Sequence, residues 1–171
     1  MSYSKIFEEY IKDYNAIIFE KESNNNQYFS AFNIINQRKC ILKVISKEKL
    51  KSGNYTFLQK QIKREEEITT TCNSEYTVNL YRKLDTTNYI IFELEHFDDS
   101  IFEYSREKGP LSRDLNFIKY IIQQLANALK IIHQKGIIHR DIKPQNIFIR
   151  KDNEKKIKLG DFSCSIFIKD N

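Results

Sequence analysis

A short segment toward the end of the chain holds several residues that could do chemistry together. Residues 139–146 read HRDIKPQN, and the pair Asp161-Phe162 follows a β-rich run. Carboxylate and amide oxygens are the ligands that hard cations such as Mg²⁺ prefer, and lysine neutralises phosphate charge. A carboxylate can also accept a proton from an attacking hydroxyl. These are the residue types that a phosphate-handling site needs, and the complete string is hard to attribute to chance.

The string matches the HRDxxxxN catalytic loop of protein kinases and the start of their DFG motif. The chain therefore resembles the eukaryotic protein kinases, and the lysine two places after the loop aspartate is similar to the Ser/Thr branch rather than the tyrosine branch. His139 is expected to be a packed core residue and Arg140 a structural or regulatory anchor. The other roles that the resemblance implies are a catalytic base (Asp141), a charge-stabilising lysine (Lys143) and two magnesium ligands (Asn146 and Asp161).

Upstream residues extend the resemblance in the order that the family has. Lys43, in CILKVI, stands at the lysine of the family's third strand, and Glu65, in QIKREEEI, is the best match to the glutamate that pairs with it. Glu66 and Glu67 are the alternative matches. The segment FELE at 92–95 falls on the gatekeeper and hinge, whose backbone binds adenine in the family. The resemblance thus implies ATP and Mg²⁺ as cofactors, with a nucleotide site formed by Lys43, Glu93, Glu95, Ile41 and Phe29.

Three departures from the family's pattern concern this nucleotide site. The phosphate-covering loop should read GxGxxG, because glycine allows the backbone to approach phosphate closely. Residues 20–27 (EKESNNNQ) contain no glycine. Ser163 replaces the glycine of DFG, which restricts the backbone more than it affects metal binding. Ile41 stands where the family has a small alanine over the adenine ring, and Phe29, aligned with the family's valine on the second strand, is expected to crowd the same space.

Hydrophobic patterning predicts the elements that must position these residues. After a short apolar run at 16–19, β-hairpins are predicted from 28–35 with 40–45, from 77–84 with 89–95, and from 146–150 with 156–159. Helices are predicted over 55–70, 100–108 and 113–134. The order predicts an α+β fold like that of the protein kinases. We expect a complete small lobe at about 14–95 with an antiparallel sheet and one helix, a hinge at 93–97, and at 98–171 the first part of a helical large lobe with the catalytic loop at 139–146.

The helix predicted over 113–134 carries an apolar seam at steps of three and four. Its members are Leu115, Ile118, Ile122, Leu125, Leu129 and Ile132. Ser112 is predicted to cap its start and Gly136 its end. In the family, later helices cover this seam and an activation segment follows, whereas the sequence ends at Asn171. We therefore expect a partial kinase domain that is inactive alone, and a protein partner is one way to cover the seam.

Composition and charge argue against several other classes of protein. No apolar run approaches the ~20 residues needed to span a bilayer, and the start (MSYSKIFEEY) lacks a signal peptide's apolar stretch. The three cysteines are expected to be reduced thiols. The net charge of +5 comes from basic residues interleaved with acidic ones, which favours a solvated surface over a nucleic-acid interface. We expect an intracellular, cytoplasmic protein without membrane association, and a nuclear location is left open.

Two functions are compatible with these residues. The leading one is a Ser/Thr protein kinase domain that transfers the γ-phosphate of ATP to Ser or Thr hydroxyls of a protein substrate. The alternative is a degenerate, pseudokinase-like module that binds a partner without turnover. The intact charged set favours the kinase, whereas the missing glycines and Ile41 favour the binding module.

Overall fold

The computed structural model describes residues 11–23, 26–48, 55–111, 114–152 and 155–170. These residues fall into two compact units: those up to Lys60 together with Leu80–His96, and Gln61–Asn79 together with those from Phe97 onward. Residues 61–79, predicted to lie in the small lobe, group with the second unit in the structure. The combination of an antiparallel sheet with helices confirms the predicted α+β, kinase-like fold class.

The first unit is built on a five-stranded sheet in the order β1-β2-β3-β5-β4. Its strands are β1 (Tyr14–Ser23), β2 (Asn26–Asn33), β3 (Arg38–Ser46), β4 (Leu80–Asp85) and β5 (Tyr89–Glu95). All neighbouring strands are antiparallel, so both predicted hairpins are confirmed. Because side chains alternate along a strand, Leu42 and Val44 lie on the face that holds the buried cluster, and Ile41 and Lys43 lie on the other.

The predicted strand at 77–84 begins later in the structure because its first residues bond elsewhere. The hydroxyl of Thr77 donates to the carbonyl of Cys72 at 2.6 Å. The backbone N–H of Val78 donates to the carbonyl of Leu159 at 2.9 Å. Both bonds lie within the second unit, so these two residues cannot join the sheet of the first.

The second unit combines helices with short strands. Helix α1 (Tyr55–Thr71) enters it at Gln61, and α2 (Ile101–Lys108) and α3 (Leu115–Gln134) follow. Its strands are β6 (Asp99–Ser100), β7 (Ile137–Ile138), β8 (Ile147–Ile149), β9 (Ile157–Leu159) and β10 (Ile166–Phe167). Strands β6, β8 and β9 form one small sheet, and β7 pairs with β10. The predicted hairpin around residue 153 is the β8–β9 pair.

Capping side chains and glycines set the ends of α2 and α3, and the N-cap of α3 differs from the predicted one. The side chain of Ser100 accepts a hydrogen bond from the N–H of Glu103 and caps α2, which ends at Gly109 as predicted. Helix α3 is capped by Asp114, whose carboxylate accepts from the N–H of Phe117 at 2.9 Å. Ser112, the expected cap, lies outside the described residues. Gly136, with φ of 67°, follows the end of α3 as expected.

The apolar seam predicted on α3 is partly uncovered, as expected. The buried residues of the helix are Ile121, Ala128 and Ile132. Leu115 and Ile122, both assigned to the seam, are 67% and 59% exposed. Ile132 is buried, and Leu125 and Leu129 pack against the same cluster, so the helix buries the last part of the seam.

The described part of the chain contains no helix that is both long and apolar enough to cross a membrane. All three cysteines are free thiols: Cys40 and Cys72 are buried, and Cys164 is exposed.

Candidate active site

The first unit places Lys43 in the middle of its sheet, with only 2% of the residue exposed. Its strand partners are Tyr28 of β2 and Phe92 of β5, so all three side chains share one face of the sheet. Ile41, on the same face, pairs with Ser30 and Leu94. Burial of an ammonium group is costly unless it is paired. Lys43 is therefore not a solvated strand lysine.

Phe29 does not belong to this face, and the expectation that it crowds a nucleotide beside Ile41 is wrong. Phe29 pairs with Leu42, is fully buried in the cluster on the opposite face, and packs edge-on against Phe19 at 5.5 Å. A shift of one residue along a strand moves a side chain to the other face. Without the family's glycines the sequence offered nothing to fix this register. Tyr28 is the residue that shares the Lys43 face.

The glycine-free stretch at 20–27 folds mostly as paired strand. The register of β1 on β2 shifts between Phe19 and Lys21. Beyond that shift, Glu22 pairs with Gln27 and Ser23 with Asn26, so the strands are paired up to residues 24 and 25, which lie outside the described residues. The ammonium group of Lys21 lies 5.8 Å from the centre of the Tyr28 ring. Regular strand needs no positive φ, which explains how the described part of this stretch dispenses with glycine.

The two hinge glutamates, Glu93 and Glu95, lie in the last part of β5 and are both buried. Glu95 pairs with Cys40 of β3. The carboxylate of Glu93 accepts hydrogen bonds from three side chains of the first unit that sequence reasoning missed, Tyr14, Asn33 and Arg38. A backbone contact from this segment to adenine stays a prediction.

In the second unit, the predicted catalytic loop is held by its histidine. His139 is buried, as expected, and its Nε2 lies 3.0 Å from the carbonyl oxygen of Gly160. Its Nδ1 accepts from the N–H of Asp141 at 3.3 Å, and its ring packs against that of Phe162 with centroids 5.1 Å apart. Burial lowers the pKa of His139, so the ring is neutral and can serve as an acceptor at Nδ1.

Three of the predicted site residues converge in this loop. The Oδ2 atom of Asp141 accepts from Nζ of Lys143 at 2.7 Å and from Nδ2 of Asn146 at 2.9 Å. The same Nδ2 also donates to the backbone carbonyl of Asp141 at 2.9 Å. The hydrogen bond from Lys143, helped by that from Asn146, lowers the pKa of Asp141. Asp141 is therefore an ionised carboxylate with one oxygen already oriented.

The remaining site residue, Asp161, is tied to this loop through its neighbour. The N–H of Gly160 donates to the carbonyl of Asn146 at 2.9 Å, which brings the two candidate metal ligands onto adjoining segments. Asp161 adopts left-handed backbone geometry (φ 59°, ψ 78°), which is uncommon for a non-glycine residue and typical of functional positions. The amide nitrogen of Asn146 is engaged by Asp141, so its oxygen is the atom left for a cation. A carboxylate and an amide oxygen fit Mg²⁺.

Ser163 fits its position without strain. Its N–H donates to the carboxylate of Asp161 at 3.4 Å within the short 3₁₀ turn Phe162–Cys164. Asp161 has a positive φ, whereas Ser163 does not. In this conformation the position does not require a glycine.

Arg140 anchors the segment that follows Asp161, as expected. Its Nε donates to the carbonyl of Cys164 at 2.6 Å, and the hydroxyl of Ser165 donates to the carbonyl of His139 at 3.1 Å. Pairing of β10 with β7 continues this attachment. The catalytic loop and residues 161–167 therefore form one hydrogen-bonded assembly.

Glu65 is the buried member of the glutamate run, whereas Glu66 is half-buried and Glu67 is exposed. One turn further along α1, Ile68 belongs to the same buried cluster as Phe162. This pattern favours Glu65 over its neighbours as the functional glutamate. The ion pair with Lys43 stays a prediction.

Gly160 is a site residue that sequence reasoning missed, and we expect its replacement by alanine to be destabilising. A Cβ atom there would lie 2.7 Å from a methyl carbon of Val78 and 2.9 Å from the ring of Phe148. Overpacking of this kind costs about 1–3 kcal/mol of unfolding free energy. Urea denaturation of Gly160→Ala measures it, with Cys164→Ala at an exposed position as the control. Equal midpoints for the two variants would show that the site accommodates the methyl group.

The known proteins that this chain is similar to are protein kinases. A family model described as a protein kinase domain matches residues 24–171. An Aurora kinase of Saccharomyces cerevisiae is 40% identical over 128 residues, which cover 74% of this chain and 33% of that protein. The CBL-interacting serine/threonine-protein kinase 18 of Arabidopsis thaliana is 33% identical over 138 residues (80% of this chain, 25% of that protein). A probable serine/threonine-protein kinase of Dictyostelium discoideum, fhkA, is 30% identical over 168 residues (95% and 28%). The chain spans a third or less of the length of these relatives.

Proposed function

The chain belongs to the protein kinase family, and from this membership we propose that it contributes the ATP-binding and catalytic-loop part of a Ser/Thr protein kinase. The observation that carries the proposal is the hydrogen-bonded set of Asp141, Lys143 and Asn146, with contacts of 2.7 and 2.9 Å at one carboxylate oxygen. Phosphoryl transfer depends on positioning and charge neutralisation, and this set supplies both.

Asp141 is the proposed base for the substrate hydroxyl. Among the described residues, both side-chain contacts go to Oδ2, which leaves Oδ1 to accept the proton. The lowered pKa of Asp141 keeps it ionised at neutral pH, so it can orient the hydroxyl before transfer. Lys143, bonded to the same carboxylate, is the proposed cation for the transferred phosphate.

Asn146 and Asp161 are the proposed holders of Mg²⁺, and their oxygen donors fit that ion. When bound, the ion would neutralise the phosphate oxygens of ATP. The hydrogen bonds Gly160–Asn146 and Ser163–Asp161 set the positions of the two ligands. In the first unit, Lys43 is the proposed cation for the α- and β-phosphates, and Ile41 and the backbone of Glu93 and Glu95 are the proposed adenine contacts. Glu65, a residue of the second unit, is the proposed partner of Lys43.

The names of the relatives support a protein Ser/Thr hydroxyl as the acceptor. The exposed Leu115 and Ile122 of α3 are compatible with a protein partner there. A cytoplasmic location stays a prediction.

A second candidate, a kinase-like binding module without turnover, is favoured by one observation. Tyr28 and Ile41 both lie on the Lys43 face of the sheet, where the family resemblance implies smaller residues. Side chains of this size would reduce the space for an adenine ring. Weak or absent nucleotide binding would follow.

ATP binding that depends on Mg²⁺ distinguishes the two candidates. We expect ATP with Mg²⁺ to raise the melting temperature of the chain, because a ligand that binds only the folded state stabilises it by mass action. Without Mg²⁺, or in Asp161→Asn, the shift should be lost. Asp152→Asn, at a position outside the site, is the matched control. A shift that is indifferent to Mg²⁺ and to Asp161→Asn would contradict the metal-site assignment, and no shift at all would favour the binding module.

A further inference from the structure

At one end of the first unit's sheet, a set of polar side chains connects all five strands. We define the Glu93 cluster as Tyr14 of β1, Asn33 of β2, Arg38 of β3 and Glu93 of β5. The guanidinium of Arg38 also stacks on the ring of Tyr81 in β4, 3.6 Å from its centroid. These partners lie far apart in sequence and meet only because the sheet brings their strands together.

The carboxylate of Glu93 is the centre of this cluster, and Glu93 has no exposed surface. It accepts from the hydroxyl of Tyr14 at 2.6 Å, from Nδ2 of Asn33 at 3.2 Å to each oxygen, and from Arg38 at 3.0 Å. A buried carboxylate is tolerated only when it is paired and hydrogen-bonded, and here both oxygens have partners. Removing one donor would leave a buried charge less satisfied, so the carboxylate restrains each of the strands it contacts.

Tyr14 is suited to its role as a permanent donor. Burial, together with the hydrogen bond to Glu93, raises the pKa of Tyr14, so the hydroxyl keeps its proton. Burial first, and the charge of Glu93 second, raise the pKa of Cys40 to about 12, so this thiol stays neutral. Arg38 forms a 3.0 Å ion pair with Glu93.

The register connects this cluster to the proposed nucleotide site. Glu93 pairs with Leu42, and the next pair is Phe92 with Lys43. A displacement of β5 relative to β3 at Glu93 would therefore be transmitted to the strand position of Lys43. It would also move the backbone that follows Phe92, the proposed adenine contact.

We propose that Glu93 is a positioning residue for nucleotide binding: its carboxylate, held by Tyr14, Asn33 and Arg38, fixes β5 against β3 and so sets the geometry of Lys43 and of the hinge backbone. This inference rests on the proposed ATP-binding function. It differs from a purely structural role, because a structural role changes stability without changing the affinity of the folded protein.

The test compares nucleotide affinity with stability in matched variants. Dissociation constants for ATP with Mg²⁺ and for adenosine are measured by titration calorimetry, at a temperature where each variant is folded. Glu93→Gln, which keeps the shape and removes the charge, should weaken both ligands about tenfold, the scale of a lost charge-assisted hydrogen bond. Tyr14→Phe, which removes one donor, should weaken both roughly threefold to tenfold. Asp85→Asn breaks the ion pair with Lys47 elsewhere in the first unit and should leave both affinities unchanged.

Each outcome decides the proposal. If Glu93→Gln does not fold, Tyr14→Phe carries the test alone. If both variants melt earlier but bind ATP and adenosine as the unmodified chain does, Glu93 is structural only; the inference fails and the proposed function stands. If the unmodified chain binds neither ligand, the proposed function and this inference fail together. Weakening in Asp85→Asn equal to that in Tyr14→Phe would also overturn it, because the effect would not be specific to Glu93.

Discussion

Replacing Phe162 with alanine is expected to lower the free energy of unfolding by about 3–5 kcal/mol, the range found for large aromatic residues in cores. Phe162 is only 2% exposed and lies in the main buried cluster of the second unit, together with Ile68, Ile132 and Ile137. Its ring also packs against His139 at 5.1 Å. Removing it would leave a cavity and release one wall of the catalytic loop. Since whole domains are stable by only ~5–15 kcal/mol, a large share of the folded state would be lost.

Chemical denaturation followed by circular dichroism measures this change. Phe102→Ala provides the control, because Phe102 is a partly exposed residue of α2 in the same unit, and its replacement should change stability by less than about 1 kcal/mol. A similar loss in both variants would mean that Phe162 has no special packing role. The left-handed backbone conformation of the adjoining Asp161 would then not depend on the packing of Phe162.

The sequence was most informative where structure is local. The end of α2 at Gly109, the end of α3 at Gly136 and the burial of His139 follow from glycine at a helix terminus or from a contiguous motif. The contacts among Asp141, Lys143 and Asn146 span at most five residues. Short-range hydrogen bonds of this kind depend little on the rest of the fold, so a motif predicts them well.

The sequence was least informative where long-range packing decides. The Glu93 cluster joins residues that are 55, 60 and 79 positions apart, and no local pattern in Tyr14, Asn33 or Arg38 indicates it. The misassignment of Phe29 has a related cause, because the register of β2 against β3 depends on pairing rather than on composition. On α3, the spacing of three and four defines the seam, but only packing shows which of its members lie against the core and which are exposed.

The same distinction bears on the alternative function. Departures from the family's motif are local, so they were visible in the sequence, but their consequences depend on the faces and backbone angles that the fold assigns. Ser163 proves compatible with its turn, since the left-handed residue is Asp161 and not Ser163. Tyr28, unremarkable in the sequence, proves to lie beside Lys43. Nucleotide binding therefore depends more on the side chains of the Lys43 face than on the missing DFG glycine.

Replacing Lys43 with methionine is expected to weaken ATP binding by roughly 10- to 100-fold, because charge-assisted hydrogen bonds contribute about 1.5–3 kcal/mol each. Methionine keeps most of the apolar volume of the lysine stem, so the sheet should remain packed. Adenosine carries no phosphate and should bind as tightly as before. The measurement is a pair of calorimetric titrations, ATP with Mg²⁺ and adenosine, on the folded variant.

Lys39→Met is the matched control, because Lys39 lies two residues before Ile41 on the same strand and face but is exposed. It removes an identical charge from the same unit, so it corrects for general electrostatic attraction of ATP to a basic protein. If Lys39→Met weakens ATP as much as Lys43→Met does, the effect is a net-charge effect, and Lys43 is not the specific phosphate ligand. If Lys43→Met also loses adenosine, the substitution has disturbed the sheet itself. Only a loss of ATP affinity that occurs in Lys43→Met but not in Lys39→Met, with adenosine affinity unchanged, supports the phosphate-binding role of Lys43.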